Sequence, residues 1–324
     1  MQDARLVQLA RQPEERERVK SLGVFDIGSN TILITVGRLS TSGKLEVLWD
    51  EGDVVRLSEG LVDGGPLQAA AKARALETLA RFKSQAESLG VSDLQAAGTA
   101  AFRRAQDGSI FAKEIQEYLK IPVRILTGEE EARYSYQSAA MDFGQDGKTL
   151  GMIDIGGGST EFVFGGSGPN YSLPMGTVRL TEKYRPTHPI SDEQWRKIRS
   201  DIRELLATEI PKLPTLPETW AAVAATPASL AAVLLELPQY QPERIHGYRL
   251  KLEVLESLIE RLRSLNLEAR KTLPGMHPKR AELLPIGGAI LAEAMSFLKM
   301  KEILVSDHGL RYGILWEEIQ KIKG

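Results

Sequence analysis

The sequence contains no cysteine. That absence removes disulfides, thiolate nucleophiles, iron–sulfur clusters and cysteine-based structural zinc, and it fits a reducing cytoplasm. Charge of one sign is missing as well: 41 Lys and Arg against 43 Asp and Glu leave a net −2. Without a global positive field the chain is not drawn to nucleic acid or to an anionic membrane, and any polyanionic ligand has to be held locally. Long hydrophobic runs are also absent. The longest small-apolar stretch, Ala221 to Leu237, is broken by Thr226, Pro227 and Ser229, short of the roughly 18 apolar residues of a membrane span. The first residues, with Arg5, Arg11, Glu14, Glu15 and Arg16, lack the apolar centre of a signal peptide. A cytoplasmic location is expected.

Several catalytic signatures are missing too. There is no Gly-x-Ser-x-Gly elbow, which leaves serine hydrolase chemistry unsupported. Gly147-Lys148-Thr149 looks like the end of a P-loop, but Asp142 stands where its first glycine belongs and a strand is expected to follow. His188, His246, His277 and His308 are far apart, with no metal-ligand spacing, which assigns them structural roles. No Gly/Ser-rich linker divides the chain.

What remains is an ordinary globular composition, 42% hydrophobic and 26% charged over 324 residues, a length that suits two domains. Residues 1 to 20 read as an exposed, charged helical extension. Strands are expected at Leu22 to Ile27 and Thr31 to Arg38, near 94 to 98, at Val123 to Leu126, Glu161 to Phe164, Trp220 to Ala224, Leu283 to Ile286 and Ile303 to Val305. Helices are expected at 68 to 89, 109 to 119, from Thr127, at 191 to 208, 227 to 236, 250 to 265, through Ala289 to Leu298, and from Leu310. Strands alternating with helices argue α/β layers, with ligands at the carboxyl ends of strands.

One pattern occurs twice. Val24-Phe25-Asp26-Ile27-Gly28-Ser29 returns as Met152-Ile153-Asp154-Ile155-Gly156-Gly157, an offset of 128 residues. Each copy joins two apolar strands, which suggests duplicated halves that each present a Gly-rich hairpin turn to a shared cleft. Glycine lets the backbone approach closely enough to donate N–H groups to phosphate oxygens, and Ser29, Asn30, Ser159 and Thr160 add side-chain donors. Between the copies lies Thr127-Gly128-Glu129-Glu130-Glu131-Ala132. Thr127 and Glu130 have capping-box spacing, which leaves Glu131 free for other work. Asp26, Glu131, Asp154 and Glu161 beside a phosphate cradle would repel a polyanion unless a divalent cation sat among them, and hard oxygen ligands suit magnesium, or manganese. Carboxylate-activated water together with such a cation suffices to hydrolyse a phosphoanhydride. Arg103, just past a strand end, is placed to grip phosphate oxygens bidentately.

These residues resemble a known family. Asp26-Ile27-Gly28-Ser29-Asn30-Thr31 and Asp154-Ile155-Gly156-Gly157-Gly158-Ser159-Thr160-Glu161 are similar to the signature turns of the exopolyphosphatase and guanosine pentaphosphate phosphatase family, which has the duplicated actin/Hsp70/sugar-kinase fold. Thr99 to Arg103, Thr127 to Arg133, Met175 to Leu180, His246 to Leu250, Arg280 to Glu282 and Ser306 to Gly313 match further family stretches in order, so the resemblance spans residues 22 to 320. It implies a two-domain α/β fold with an interdomain cleft. The first domain would be discontinuous, residues 1 to 138 plus 306 to 324, and the second would cover 139 to 305, without the HD-type domain of longer members. Carried over by position, Glu131 is the water-activating residue, Glu161 the second essential glutamate, and Asp154, with Glu161 and Asp26, the holder of Mg2+ or Mn2+. Ser29, Asn30, Thr31, Arg103, Gly156, Gly157, Gly158, Ser159 and Thr160 would contact substrate phosphate. The implied activity is hydrolysis of the terminal phosphoanhydride of inorganic polyphosphate, guanosine pentaphosphate or both, and a homodimer is compatible with it. The alternatives are a strict guanosine pentaphosphatase, a non-catalytic polyphosphate or alarmone sensor, and a kinase of the same superfold. The sequence departs from the family pattern at Thr127, at Tyr312 and at Ala225-Thr226-Pro227, where the family tends to have Gly-Thr.

Overall fold

A computed structural model describes residues 21–40, 45–91, 93–144, 149–213 and 215–323. The extension expected over residues 1 to 20, and Gly147-Lys148, therefore lie outside the described residues. The first half forms a five-stranded sheet from β1 (Leu22–Ile27), β2 (Thr31–Leu39), β3 (Leu45–Val54), β4 (Asp93–Gly98) and β5 (Val123–Ile125), in the order β3-β2-β1-β4-β5. Its helices are α1 (Ala69–Ser88), α2 (Ala100–Arg104) and α3 (Gly108–Leu119), and α4 (Gly128–Phe143) leads out of it. The second half forms a six-stranded sheet from β6 (Leu150–Ile155), β7 (Thr160–Val163), β8 (Asn170–Leu173), β9 (Thr219–Val223), β10 (Arg249–Lys251) and β11 (Glu302–Val305), in the order β10-β11-β9-β6-β7-β8. Around it lie α5 (Thr177–Tyr184), α6 (Asp192–Glu209), α7 (Ala225–Leu234), α8 (Pro242–Ile245), α9 (Leu252–Ser264), α10 (Leu267–Lys271) and α11 (Leu284–Phe297); α12 (Leu310–Lys323) closes the chain.

The two sheets repeat one topology. In the first, β1 pairs antiparallel with β2 and parallel with β4, and β4 pairs parallel with β5. In the second, β6 pairs antiparallel with β7 and parallel with β9, and β9 pairs parallel with β11. This is the duplicated actin-like α/β fold expected from the repeat. The central strands are buried on both faces because helices cover both sides of a parallel sheet. Val24, Phe25, Ile27, Met152, Ile153 and Ile155 accordingly have almost no exposure.

Leu283 to Ile286 is not a strand. It opens α11, with Pro285 in the first turn. A continuous apolar run has no helical or strand period to read, and length is what separates the two. Here Leu284 to Met295 is buried throughout, and the sheet position beside β9 is filled by β11. The short strands β8 and β10 and the helix α5 carried too few apolar residues to be foreseen, and in β3 acidic residues and Gly52 interrupt the apolar alternation.

Two helices link the halves. The last one, α12, packs on β1, β2 and α4, and α4 in turn reaches β6, β7 and β8. Leu310, Ile314, Leu315 and Ile319 of α12 share one buried cluster with Leu22, Val24, Leu126 and Tyr134. At the crossing of the two helices stands Gly313, whose added Cβ would lie 2.1 Å from the Tyr134 carbonyl oxygen. Backbone cannot yield as a side chain tip can. Alanine is intrinsically better in a helix by about 1 kcal/mol, so Gly313→Ala tests the contact. We expect a net destabilisation of about 1–3 kcal/mol in urea unfolding, the usual cost of overpacking; a stabilised variant would show that α12 can move off α4.

Candidate active site

Both Gly-rich turns are closed by the same bond. Gly28 N–H donates to the Thr31 carbonyl at 3.0 Å, and Gly156 N–H donates to the Ser159 carbonyl at 3.0 Å. The turns meet face to face. An added Cβ on Gly157 would lie 2.8 Å from Ser29 Cβ, so only glycine allows this approach. The Gly156 and Gly157 carbonyls accept N–H bonds from Thr177, Val178 and Arg179 at the start of α5, which fixes the second turn. One cleft is lined by Asp26 and Gly28 to Thr31 from the first half, by Asp154, Gly156 to Ser159 and Glu161 from the second, and by Glu131 between them.

The expected phosphate donors divide into two groups. Ser29 Oγ is a buried donor with no hydrogen-bond partner, the condition of a polar atom that awaits a ligand, and Asn30 Oδ1 is a buried acceptor likewise without one. The hydroxyls of the second turn are committed. Ser159 donates to Glu161 Oε1 at 2.7 Å and Thr160 donates to the Met175 carbonyl. Thr31 Oγ1 accepts from Arg280 Nη2 at 2.8 Å.

The carboxylates sit where local structure predicts. Thr127 and Glu130 form the complete capping box, with Glu130 N–H on Thr127 Oγ1 and Thr127 N–H on Glu130 Oε2. That leaves Glu131, 9% exposed, facing the cleft. Asp154 and Glu161 are direct cross-strand partners on β6 and β7, so their side chains leave the same face of the sheet. The equivalent of Glu161 in the first repeat is Leu33, opposite Asp26, which is why only the second turn carries an acid pair. Ser135 Oγ donates to Asp154 Oδ2 at 2.6 Å, and Ser172 Oγ donates to Glu161 Oε1 at 2.8 Å.

Burial dominates the electrostatics. It pushes Asp26 up to about 7, Glu131 up to about 7 and Glu161 up to about 8, and it raises Asp154 as well. Asp26 and Asp154 keep some surface open to the cleft, but protein surrounds them on every other side. The neighbouring Glu131 and Asp154 charges push Glu161 further, whereas Arg103 pulls Glu131 back. Arg103 Nη2 is 2.6 Å from Glu131 Oε2, a close charge contact whose N–H is not aimed along a hydrogen bond, and Nη1 donates to the Leu126 carbonyl at 2.7 Å. Arg103 thus contacts Glu131, and it lines an adjoining pocket together with Gly158 and Ser159 of the second turn. The donor set fits a divalent cation: oxygen ligands only, a cross-strand acid pair, and buried carboxylates with too little positive charge to hold them ionised. Asp154, Glu161 and Asp26 would hold it. Among the described residues, however, Asp142, His246 and His308 are the acidic and imidazole groups that lie close enough to share one ion as they stand.

Arg280 and Arg311 also line the cleft, and spacing alone did not assign them. Both stand in stretches singled out for their pattern, yet only the fold shows that the last residue of the short 3-10 helix Pro278–Arg280 and one in the first turn of α12 converge. Arg311 is anchored on both Asp50 oxygens at 2.9 and 3.0 Å, with Nε left buried and unpartnered. Ala224, at the mouth of α7, has φ 75° and ψ −177°, a region populated almost only by glycine. The departure at Ala225-Thr226-Pro227 thus begins with a strained alanine one residue earlier.

The chain is similar to known proteins over most of its length. The model of the Ppx/GppA phosphatase family matches residues 38–322. The chain is 27% identical over 308 residues to exopolyphosphatase 2 of Mycobacterium tuberculosis, covering 90% of this chain and 97% of that one. A solved Ppx/GppA family member from Aquifex aeolicus is 26% identical with a TM-score of 0.79, covering 94% of this chain and 99% of that one. An exopolyphosphatase from Cytophaga hutchinsonii, 22% identical, shares the fold with a TM-score of 0.83, covering 93% and 98%.

Two measurements follow from the geometry. Ala224→Gly relieves a backbone cost of about 1–3 kcal/mol, less the roughly 0.5–1 kcal/mol entropy loss of a glycine. The variant should melt at a higher temperature, and a lower one would show the alanine to be relaxed. Glu161 ionises near 4.5 when unfolded and near 8 when folded, so the native state retains a proton that the unfolded chain gives up. Its contribution to stability is full at acid pH and is lost as pH rises through 8. Without divalent cation, wild type should lose stability relative to Glu161→Gln between about pH 5 and pH 8, and magnesium at pH 8 should restore it. A pH-independent difference would refute the shift.

Proposed function

The chain belongs to the Ppx/GppA phosphatase family, and from that membership and the cleft we propose that it hydrolyses the terminal phosphoanhydride bond of inorganic polyphosphate, of guanosine pentaphosphate, or of both. The observation that carries this reading is Glu131, a buried carboxylate released from capping, facing the two turns with a proton affinity near neutrality. A general base works best when its pKa is close to the operating pH.

Glu131 takes a proton from water, whose oxygen attacks the terminal phosphorus as the bridging P–O bond breaks toward the remaining chain. The free hydroxyl of Ser29 and the backbone N–H groups of Gly157 and Gly158 hold the phosphoryl oxygens, with the Gly28 and Gly156 N–H groups closing the turns behind them, and Arg280 adds a guanidinium at Thr31. Arg103, in contact with Glu131, offsets part of the rise that burial imposes and orients the carboxylate. A bound Mg2+ or Mn2+ on Asp154, Glu161 and Asp26 supplies neutralisation of charge on the phosphoryl group. Repulsion supports that requirement: like charges 4 Å apart cost about 4 kcal/mol at an effective dielectric of 20. The division into residues 1–138 with 306–324 and residues 139–305, and a cytoplasmic location, belong to the same reading. Packing of α12 on β1 and β2 supports the first. No helix among the described residues is long and apolar enough to cross a membrane.

Phosphate release from long-chain polyphosphate and from guanosine pentaphosphate, with chelator and with magnesium or manganese restored, tests the reading. Glu131→Gln should lower kcat by about 10²- to 10⁴-fold with little change in KM, whereas Glu129→Gln should not. Full turnover in excess chelator would remove the cation, and an active Glu131→Gln would remove the base.

A further inference from the structure

The fold gathers two of the histidines that their spacing had assigned to separate structural roles. His246 follows α8, His308 lies between β11 and α12, and Asp142 is in the last turn of α4. His308 Nδ1 is 2.9 Å from Asp142 Oδ2, and His246 Nε2 is 3.8 Å from the same oxygen, beyond hydrogen-bond range. One donor atom from each residue lies within 4.8 Å of the others. The two rings are 4.2 Å apart, and Phe143 and Tyr312 stack on their outer faces. His246 Nδ1 is buried without a partner, so no bond within the protein fixes that ring's tautomer, and Nε2, the nitrogen nearer Asp142, is free to coordinate. All three side chains are only partly covered, at 17%, 26% and 30% exposure, so an ion can reach them from solvent.

We propose that Asp142, His246 and His308 bind one divalent transition-metal ion of the zinc type, at the place where the chain crosses between its two sheets. Two imidazoles and a carboxylate select zinc, cobalt or nickel over magnesium, which prefers oxygen alone. Ligand bonds of about 2.0–2.2 Å in a tetrahedral site put ligand atoms about 3.3–3.5 Å apart. The present gaps fall on both sides of that value, and the broad ring torsion of histidine closes them at little cost. His308 coordinates through Nδ1 with its proton on Nε2, and the fourth position is left to water. Asp142 ends the outward crossing on α4, His308 stands on the return to α12, and His246 is tied to the second sheet through the adjacent Gly247 N–H on the Val305 carbonyl. The ion would join both crossings and so resist movement of one half on the other. This site is separate from the acid cleft and does not depend on the phosphatase reading.

The test uses the full-length protein stripped with chelator and titrated with Co2+ alone, then with Zn2+ in competition. The intense visible bands of four-coordinate Co2+ should saturate at one equivalent in wild type, distinct from any weakly absorbing Co2+ on the oxygen ligands of the cleft, and Zn2+ should abolish those bands and raise the melting temperature. His246→Gln, His308→Gln and Asp142→Asn should each weaken the binding read from these bands by more than about 100-fold, beyond the roughly 10- to 100-fold usual for an outer-sphere partner. Asp154→Asn should leave the Co2+ spectrum unchanged. Circular dichroism identifies any variant that fails to fold, and Asp142→Asn, which keeps both rings stacked, then carries the test. Wild type without Co2+ bands, binding that survives the loss of either ring, or binding abolished by Asp154→Asn would overturn the proposal.

Discussion

Asp26, Glu131, Asp154 and Glu161 share one cleft in which burial outweighs every compensating interaction. An isolated chain would not keep these groups together, because each buried carboxylate loses hydration and each pair repels. What holds them is sequence-local and strong. Asp154 and Glu161 are locked by strand register, Glu131 by a capped helix, and Asp26 by the central strand of the first sheet. Each anchor belongs to an element that forms for other reasons, so the fold rather than the site bears the cost. The surrounding hydroxyls of Ser135, Ser159 and Ser172 each satisfy one carboxylate oxygen without adding charge.

Duplication gave the molecule two turns of one geometry, and divergence made them unequal. The second keeps glycines at Gly156, Gly157 and Gly158 and an acid across the strand at Glu161, with its hydroxyls spent on internal bonds. The first has Ser29 and Asn30 at the positions of Gly157 and Gly158, and Leu33 in place of the acid. Its polar atoms are the ones left without partners. The two repeats thus bring unlike groups to the cleft, unpartnered polar atoms from the first and a cross-strand acid pair from the second, and close approach of Gly157 to Ser29 brings them together.

The crossings between the sheets are closely packed. Gly313 against the Tyr134 carbonyl lets α12 lie directly on α4, and Tyr134 Oη then donates to Glu317 at 2.9 Å. Tyr312, where the family pattern has a glutamate, stacks on His308 and donates to Asp50 at 2.6 Å. The same Asp50 holds Arg311 at the cleft. A substitution at the crossing is therefore coupled through one carboxylate to a guanidinium of the candidate active site.

Much of this was legible in the sequence because it is local. Period, turn glycines and capping spacing operate over a few residues, so the repeated turns, the α4 cap, the freed Glu131 and the α/β alternation could be read directly. Register then followed for Asp154 and Glu161, which flank a single hairpin. Three features were decided by tertiary structure. Leu283 to Ile286 became helix because β11 occupies the sheet position and an all-apolar segment has no period of its own. Arg103 turned to Glu131 because α2 and α4 start at neighbouring strand ends, a proximity that no spacing encodes. Asp142, His246 and His308 met because two chain crossings coincide in space. Sequence patterns report which residues share an element; which elements share a place is set by how the sheets and helices bury one another.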